Sequence, residues 1–534
     1  MATQPQDPNG GKTPTQATRR GRRSGGRSAR RAIREAGGAQ RAVAPGPSGG
    51  SYRPLSDHDV ERIHQTALDV LENIGMATPI PILVEHALPR GCRLNEKGRL
   101  LFPRQLVEDV IAKAPKTVVY QARDPKHDLE LSGTRVYFDA GGESVMTLDF
   151  ESGKYRSSTL MDLYDFARLV DQLDHVDKFY KVVVPTDIED HFEHDINAAY
   201  ASVSATRKHI ELGFTRGAHV DAAIAMLDLV AGGEGRFAAR PFCSTGGCPV
   251  VSPLNYATDN SEVCVEGIKL NAPVDVIICP QAGATGPAAL AGTLVQTIAE
   301  TLAALMLVNL VSPGHPVVFG AWPFVSDLRT GSFSGGGGEQ AVLAAAAAQV
   351  ANFYGLPVSV GAGMSDAKLP DNQAGFEKGV TVATAALAGS NIVSEVSGML
   401  GGLLGCSFES MVIDDEMLAM IQRVVRGIEV TDETLSYEII KEAVEGPGHY
   451  LGHPQTMSLM ESEYHYPTLS DRASPGEWEE GGGREIRDRA RERAREILSA
   501  HYPEYIDAKT DAKIRERFPI RLAREAMRPN CGRW

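Results

Sequence analysis

Residues 274–285 read VDVIICPQAGAT, an apolar, β-branched run that closes on small and polar residues. A short apolar run bounded by turn-forming residues is the pattern of a buried strand. Seven more runs share it. They begin near Arg135 (RVYFDAGGE), Lys181 (KVVVPTD), His209 (HIELGFT), Phe242 (FCSTGGCPVV), Pro316 (PVVFGAWPF), Leu356 (LPVSVGAGMSDAK) and Asn391 (NIVSEVSGM). Helical periodicity follows each run, over residues 159–172, 196–206, 218–230, 261–270, 288–310, 339–353, 372–387 and 415–427. Eight strand–helix units predict an α/β fold, a (β/α)8 TIM barrel over residues 131–430, with its chemistry on the loops after the strands.

Outward from the barrel, residues 51–130 predict an α-rich N-terminal elaboration. A helix spans 52–75, with Ser56 as N-cap and Gly75 as its stop, and a second spans 103–113. Residues 431–534 predict a helical C-terminal extension packed on the barrel. It is polar and aromatic at first, then alternates charges in GREIRDRARERAREILSAHY, as an exposed helix does. The first fifty residues carry ten Lys and Arg against Asp7 and Glu35 and almost no large apolar side chains, so a disordered basic tail is expected there.

That tail conceals how acidic the rest is. The formal charge is −14, and with +8 on residues 1–50 the remainder carries −22. Such a body does not suit nucleic acid, and none is expected on the barrel. No membrane span is expected either: residues 293–311 are the most apolar stretch, but Gln296, Glu300 and Asn309 would be costly in lipid. Seven cysteines without a CxxC pair or a secretory h-region point to reduced thiols in a cytoplasm.

The richest motif is GAGMSDAKLPDNQAGFEKG (361–379), where Ser365, Asp366 and Lys368 follow a strand end and Asp371 reads as the next helix's N-cap. TGSFSGGGGEQ (330–340) is a glycine-rich opening to a helix, and Gly335, Gly336, Gly337 and Gly338 could offer amides to an anion; a flexible turn reads it equally well. Phe214, Trp322 and Phe324 fall near strand ends, as do the carboxylates Glu143, Glu211, Asp327 and Glu395. Aromatic faces with carboxylates are what a quaternary ammonium site needs. His191 and His194 share a helix face without a third ligand and read as an exposed pair. Cys243 and Cys248 flank a Gly-Gly step, and one of them could line the site, but no metal is expected on this chain. Neither a GxSxG elbow nor a GxGxxG fingerprint is present.

Taken together, VLENIGM (70–76), VDVIICPQAGATGPAALAGTL (274–294), GAGMSDAKLPDNQAGFEKG (361–379), GMLGGLLGCSFESMVIDDEM (398–417) and GPGHYLGHPQTMSLMESEYHYPTLSDR (446–472) resemble the trimethylamine methyltransferase family. The resemblance covers most of residues 52–510 and is to the branch without an in-frame pyrrolysine. It implies a (β/α)8 barrel that moves a methyl group from a methylated amine to the Co(I) corrinoid (cobalamin) of a small partner protein. A quaternary amine such as a betaine is the implied substrate, a small corrinoid protein the implied partner, and a homo-oligomer the expected assembly. The tail departs from the family: Gln455-Thr456 and Glu461 stand where many relatives carry a His-Thr step followed by Arg.

Under that resemblance no acid or base is required. Asp366 and Lys368 are the catalytic candidates, and Glu143, Glu211, Phe214, Trp322, Phe324, Asp327, Ser365 and Glu395 the substrate wall. Lys368 or the Gly335–Gly338 loop would hold a substrate carboxylate. Two other readings of the same residues stand beside it: a lyase using Lys368 as a Schiff-base amine, and a non-catalytic binder of betaines or of a corrinoid partner.

Overall fold

The computed structural model describes residues 41–529 and 531–534. At its centre lie eight parallel strands: β1 (Tyr137–Phe138), β2 (Lys178–Tyr180), β3 (His209–Gly213), β4 (Cys243–Gly247), β5 (Val274–Ile278), β6 (Val317–Ala321), β7 (Val358–Gly361) and β8 (Ile392–Ser394). Each pairs with its neighbour in chain order, and β8 pairs back onto β1. A bridge between Asp139 and Lys178 joins β1 to β2 and closes the cylinder. The (β/α)8 barrel is therefore present.

Eight helices surround it: α1 (Leu160–Gln172), α2 (His191–Ala205), α3 (Val220–Ala231), α4 (Thr258–Gly267), α5 (Leu290–Val311), α6 (Gly338–Tyr354), α7 (Asn372–Leu387) and α8 (Phe408–Arg426). α5 is the apolar stretch noted above. Its most apolar window is 83% buried, and it packs on β5, β6 and the helix Asp57–Asp69. The alanines of α6 let it lie close to the sheet, with Ala344, Ala345, Ala347 and Ala348 fully buried.

Several boundaries differ from expectation, each for a local reason. The second strand was expected near Lys181 but is Lys178–Tyr180. Its inward side chains are polar because they meet the barrel's carboxylates, so the apolar run KVVV marks the segment after the strand. α2 begins at His191 because the Asp190 carboxylate accepts the Glu193 amide at 2.8 Å, and α8 begins at Phe408 because Ser407 caps it. His191 and His194 do not form an exposed pair: His194 is buried beside Asp195.

The expected tail, 1–50, lies mostly outside the described residues, but 41–50 are seated along the barrel. Gly46 and Gly49 donate to Val136 and Thr134, and Ser48 bridges Arg135. A Cβ on Gly49 would fall 2.2 Å from the Ala386 carbonyl, so only glycine lets the chain pass there. The N-terminal elaboration contains helices Asp57–Asp69, Pro81–Ala87 and Arg104–Lys113, and also a hairpin of Thr117–Tyr120 with Leu129–Ser132. Val118, Tyr120, Leu129 and Leu131 of that hairpin pack on Tyr137, Val318 and Ile392, plugging the barrel at the start of its strands.

Candidate active site

Residues of one parity on each strand point inward, and in this barrel many are polar or absent. Lys178 sits at the centre with its ammonium on the carboxylates of Asp139 (3.1 Å) and Glu211. Asp275 completes the layer, accepting from Ser244 at 2.8 Å and from Tyr120 of the plug. Burial works against the Lys178 charge, but Asp139 and Glu211 outweigh it and hold its pKa above the ordinary lysine value. Burial likewise pushes Glu211 and Asp275 up, and Lys178 opposes it. One oxygen of Glu211, Oε1, has no hydrogen-bond partner.

Above this layer the side chains vanish at Gly213, Gly246, Gly320 and Gly361, and the space is bordered by groups from neighbouring strands. A Cβ on Gly361 would lie 2.8 Å from Trp322, 3.0 Å from Phe324 and 3.1 Å from Glu395 Oε2. Two aromatic rings and a carboxylate therefore close on Gly361 and leave no room for even a Cβ. Glu395 takes a left-handed conformation (φ 65°), is 4% exposed, and its Oε2 has no hydrogen-bond partner. Burial drives its carboxyl well above the usual range, with Cys279, Asp139 and Glu143 adding to the rise. Trp322 is fixed by its indole N–H, which donates to Ser359 Oγ at 3.1 Å. Phe324 meets Trp322 at 6.3 Å and Phe333 at 5.1 Å between centroids.

The rim is set by Glu143, on the loop after β1 with φ 50°. It accepts from the Tyr180 hydroxyl at 2.5 Å and pairs with Lys181 at 3.2 Å. Its side chain is 37% exposed, so the rim meets solvent at Glu143. Cys248 and Cys279, at the ends of β4 and β5, pack beside Ile277, Trp322, Phe324 and Met364. Each of these thiols acts on the other, raising Cys248 and holding Cys279 below the ordinary thiol value.

The remaining expected residues lie elsewhere. Phe214 packs in the main core. Asp327 sits on a hairpin outside the mouth, where hydrogen bonds from Arg329 hold its carboxyl at about 2. Ser365 donates to Glu377 at 2.6 Å. Asp366 accepts from Ser334 (2.8 Å) and from the Gly335 amide (3.0 Å), so that amide is committed within the protein. Gly336 lies against Glu377, while Gly337 and Gly338 open α6. Lys368 is exposed, and its ammonium donates to the Asp366 carbonyl at 2.5 Å. The residues that sequence reading missed are Lys178, Tyr180, Asp139 and Cys279. The alternation in KFYK and the position of Cys279 at the close of VDVIIC were the signals available.

Among the described residues no group of three or more His, Cys, Asp or Glu is arranged to hold a metal ion. A cleft of about 1380 Å³ lies outside the barrel, between α7, α8 and the C-terminal extension.

A parallel barrel with an acidic, aromatic-lined mouth defines the class. The sequence profile of the trimethylamine methyltransferase (MTTB) family matches residues 23–525, and the chain belongs to that family. It is 35% identical to the trimethylamine methyltransferase MttB of Desulfitobacterium hafniense (strain DSM 10664 / DCB-2), over 86% of this chain and 92% of that one. It is 29% identical to a glycine betaine methyltransferase of Desulfitobacterium hafniense (strain Y51), over 87% and 96%. Among solved structures, the Methanosarcina barkeri monomethylamine methyltransferase aligns over 85% of this chain and 96% of its own, at 12% identity and a TM-score of 0.45.

Proposed function

We propose that this chain is a cytoplasmic methyltransferase that moves a methyl group from a quaternary methylated amine of the betaine class to the Co(I) corrinoid of a small partner protein, and that it works as a homo-oligomer. Family membership supports the reaction. The observation that carries the substrate class is the convergence of Trp322, Phe324 and the unpaired Glu395 Oε2 beside Gly361. A buried carboxylate oxygen with no donor is costly unless a cation meets it, and aromatic faces attract the same cation without offering it a hydrogen bond. A quaternary ammonium satisfies both, having charge and no N–H.

Glu395, Trp322 and Phe324 would hold the cationic head. Glu143 and Tyr180 would border the methyl group presented to solvent, and Lys181 would meet the carboxylate of a betaine. The partner's corrinoid would supply the cobalt nucleophile that accepts the methyl group. Because the nitrogen already carries its charge, the tertiary amine leaves without a proton, and the site needs no general acid. What the barrel contributes is orientation and exclusion of water. Lys368 offers no desolvated amine, since its ammonium is exposed and bonded to a backbone carbonyl, so a Schiff-base reading gains nothing from the geometry.

The test is a methyl-transfer assay with reduced cobalamin or a candidate corrinoid protein and a panel of betaines, with trimethylamine as control. Formation of methyl-Co(III) with one betaine is the expected result. Betaine binding without any methylation would replace the enzyme with a binding protein.

A further inference from the structure

The N-terminal segment joins the barrel wall at a fixed point. The Ala42 amide donates to the Glu461 carbonyl at 3.1 Å, and Arg426, the last residue of α8, donates to the Ala42 carbonyl at 3.5 Å. Ala42 is buried there. Residues 1–40, which lie outside the described residues, precede this point, and their charge is concentrated. Nine Lys and Arg fall between Lys12 and Arg34 with no carboxylate among them.

The complementary surface lies on the same side of the molecule. α8 leads back from Arg426 to Met420 over about 9 Å, at 1.5 Å per residue, and Met420 stands in the wall of the 1380 Å³ cleft. Asp371, Asp414, Glu416, Asp471 and Glu485 line that cleft against Arg472 and Arg487. Lys378 neutralises Asp414 at 2.6 Å, and Glu409 lies 3.8 Å from Arg487. The other four carboxylates then face Arg472 alone. Asp471 and Glu485 are exposed and form no ion pair among the described residues. Phe376 and Met420, 62% and 59% exposed, add apolar wall with Met417 and Ile486. Acid over apolar wall suits arginine, whose stem packs on apolar surface while its guanidinium meets carboxylate.

We propose that the basic segment 12–34 seats in this cleft of its own molecule. The reach suffices: residues 35–41 span up to roughly 23 Å when extended, and the far end of the cleft, at Ser410, lies about 24 Å along α8 from Arg426. The tether holds the segment near its seat at roughly millimolar effective concentration, so exposed ion pairs that are weak singly suffice together. That advantage belongs to the chain's own segment and not to a second copy's. Residues 428–462 are acidic as well, with seven carboxylates against Lys441, and are the competing surface. The proposal is independent of the substrate and of the oligomeric state.

Trypsin cleavage of the full chain between Arg19 and Arg34, followed by mass spectrometry, reads the seated fraction, because a seated arginine cannot enter the protease. A free peptide of residues 12–34 serves as internal reference for the protease itself. The wild type should be cut more slowly than the peptide at low salt, at a rate independent of protein concentration, and the protection should vanish near 1 M salt, where charges act over only about 3 Å. Asp471→Lys with Glu485→Lys should speed cleavage roughly fivefold or more at low salt. Should that variant lose helicity by circular dichroism, Asp471→Asn with Glu485→Gln replaces it, with the same direction expected. A wild type cut as fast as the peptide, or a cleft variant cut as slowly as the wild type, overturns the proposal. So does protection that grows with protein concentration, which makes a second copy the occupant. Acceleration by Glu433→Lys with Glu438→Lys and not by the cleft variant overturns it too, and moves the seat to residues 428–462.

Discussion

Glu395 concentrates the site's electrostatics in one side chain. Its burial keeps the empty carboxyl protonated well above its ordinary 4.5, whereas a bound cation favours the carboxylate. Binding therefore releases a proton, and affinity for a quaternary ammonium should rise about tenfold per pH unit up to the raised pKa and then level off. Glu395→Gln should flatten that profile and weaken binding by about 2–3 kcal/mol, which calorimetry across a pH series would measure. The sign for stability is opposite. Above 4.5 and below the raised value the folded state keeps a proton that the unfolded state gives up, so Glu395 lowers stability as pH rises. The glutamine variant should lose that slope in its Tm. Glu395, Trp322 and Phe324 were legible as candidate site residues because each follows a strand end. Phe214 also follows one, but an odd position relative to the inward residues 209, 211 and 213 turns it into the core.

At the scale of elements, the barrel is held inside by charge rather than by layers of branched side chains. Lys178, Asp139, Glu211 and Asp275 are all almost fully buried, so removing the single cation leaves three carboxylates facing one another. Lys178→Met should cost about 3–5 kcal/mol in chemical denaturation. Adding Glu211→Gln should recover much of that loss, because the charge left behind, not the missing bond, is the larger cost. This network hid β2 from the sequence. Apolar runs identified the strands that bury apolar residues on both faces, and KFY does not, because its inward residues Lys178 and Tyr180 find their partners at Asp139 and Glu143, just beyond the end of β1. α2 and α8 start earlier than their periodicity indicates for a related reason: their first turns carry polar residues that cap or pair, so the apolar pattern begins only after the helix does.

Across the whole molecule, the last described residues return to the barrel wall. Arg533 pairs with Asp162 at 2.7 Å and with Asp165, while Trp534 donates to Asp165 at 2.9 Å and packs on Phe150 and Phe408. Asp165 is fully buried, and its carboxyl is pushed up by burial against the pull of Arg533 and Arg168. Arg533→Ala should lower the unfolding free energy by about 3–5 kcal/mol, read from chemical denaturation. Methyl transfer at temperatures where the variant stays folded should be unchanged, because α1 contributes nothing to the mouth.

The sequence by itself determined the eightfold alternation, the family and the position of most strand ends, since these depend on local periodicity and on short motifs. Only the tertiary structure decided which carboxylates share a cation, which one is left with an unpaired oxygen beside two rings, and which apolar faces find no cover among the described residues. Those are properties of neighbours brought together by barrel closure, as when β8 returns to β1 and sets Ser394 beside Asp139, and sequence spacing carries no record of that closure.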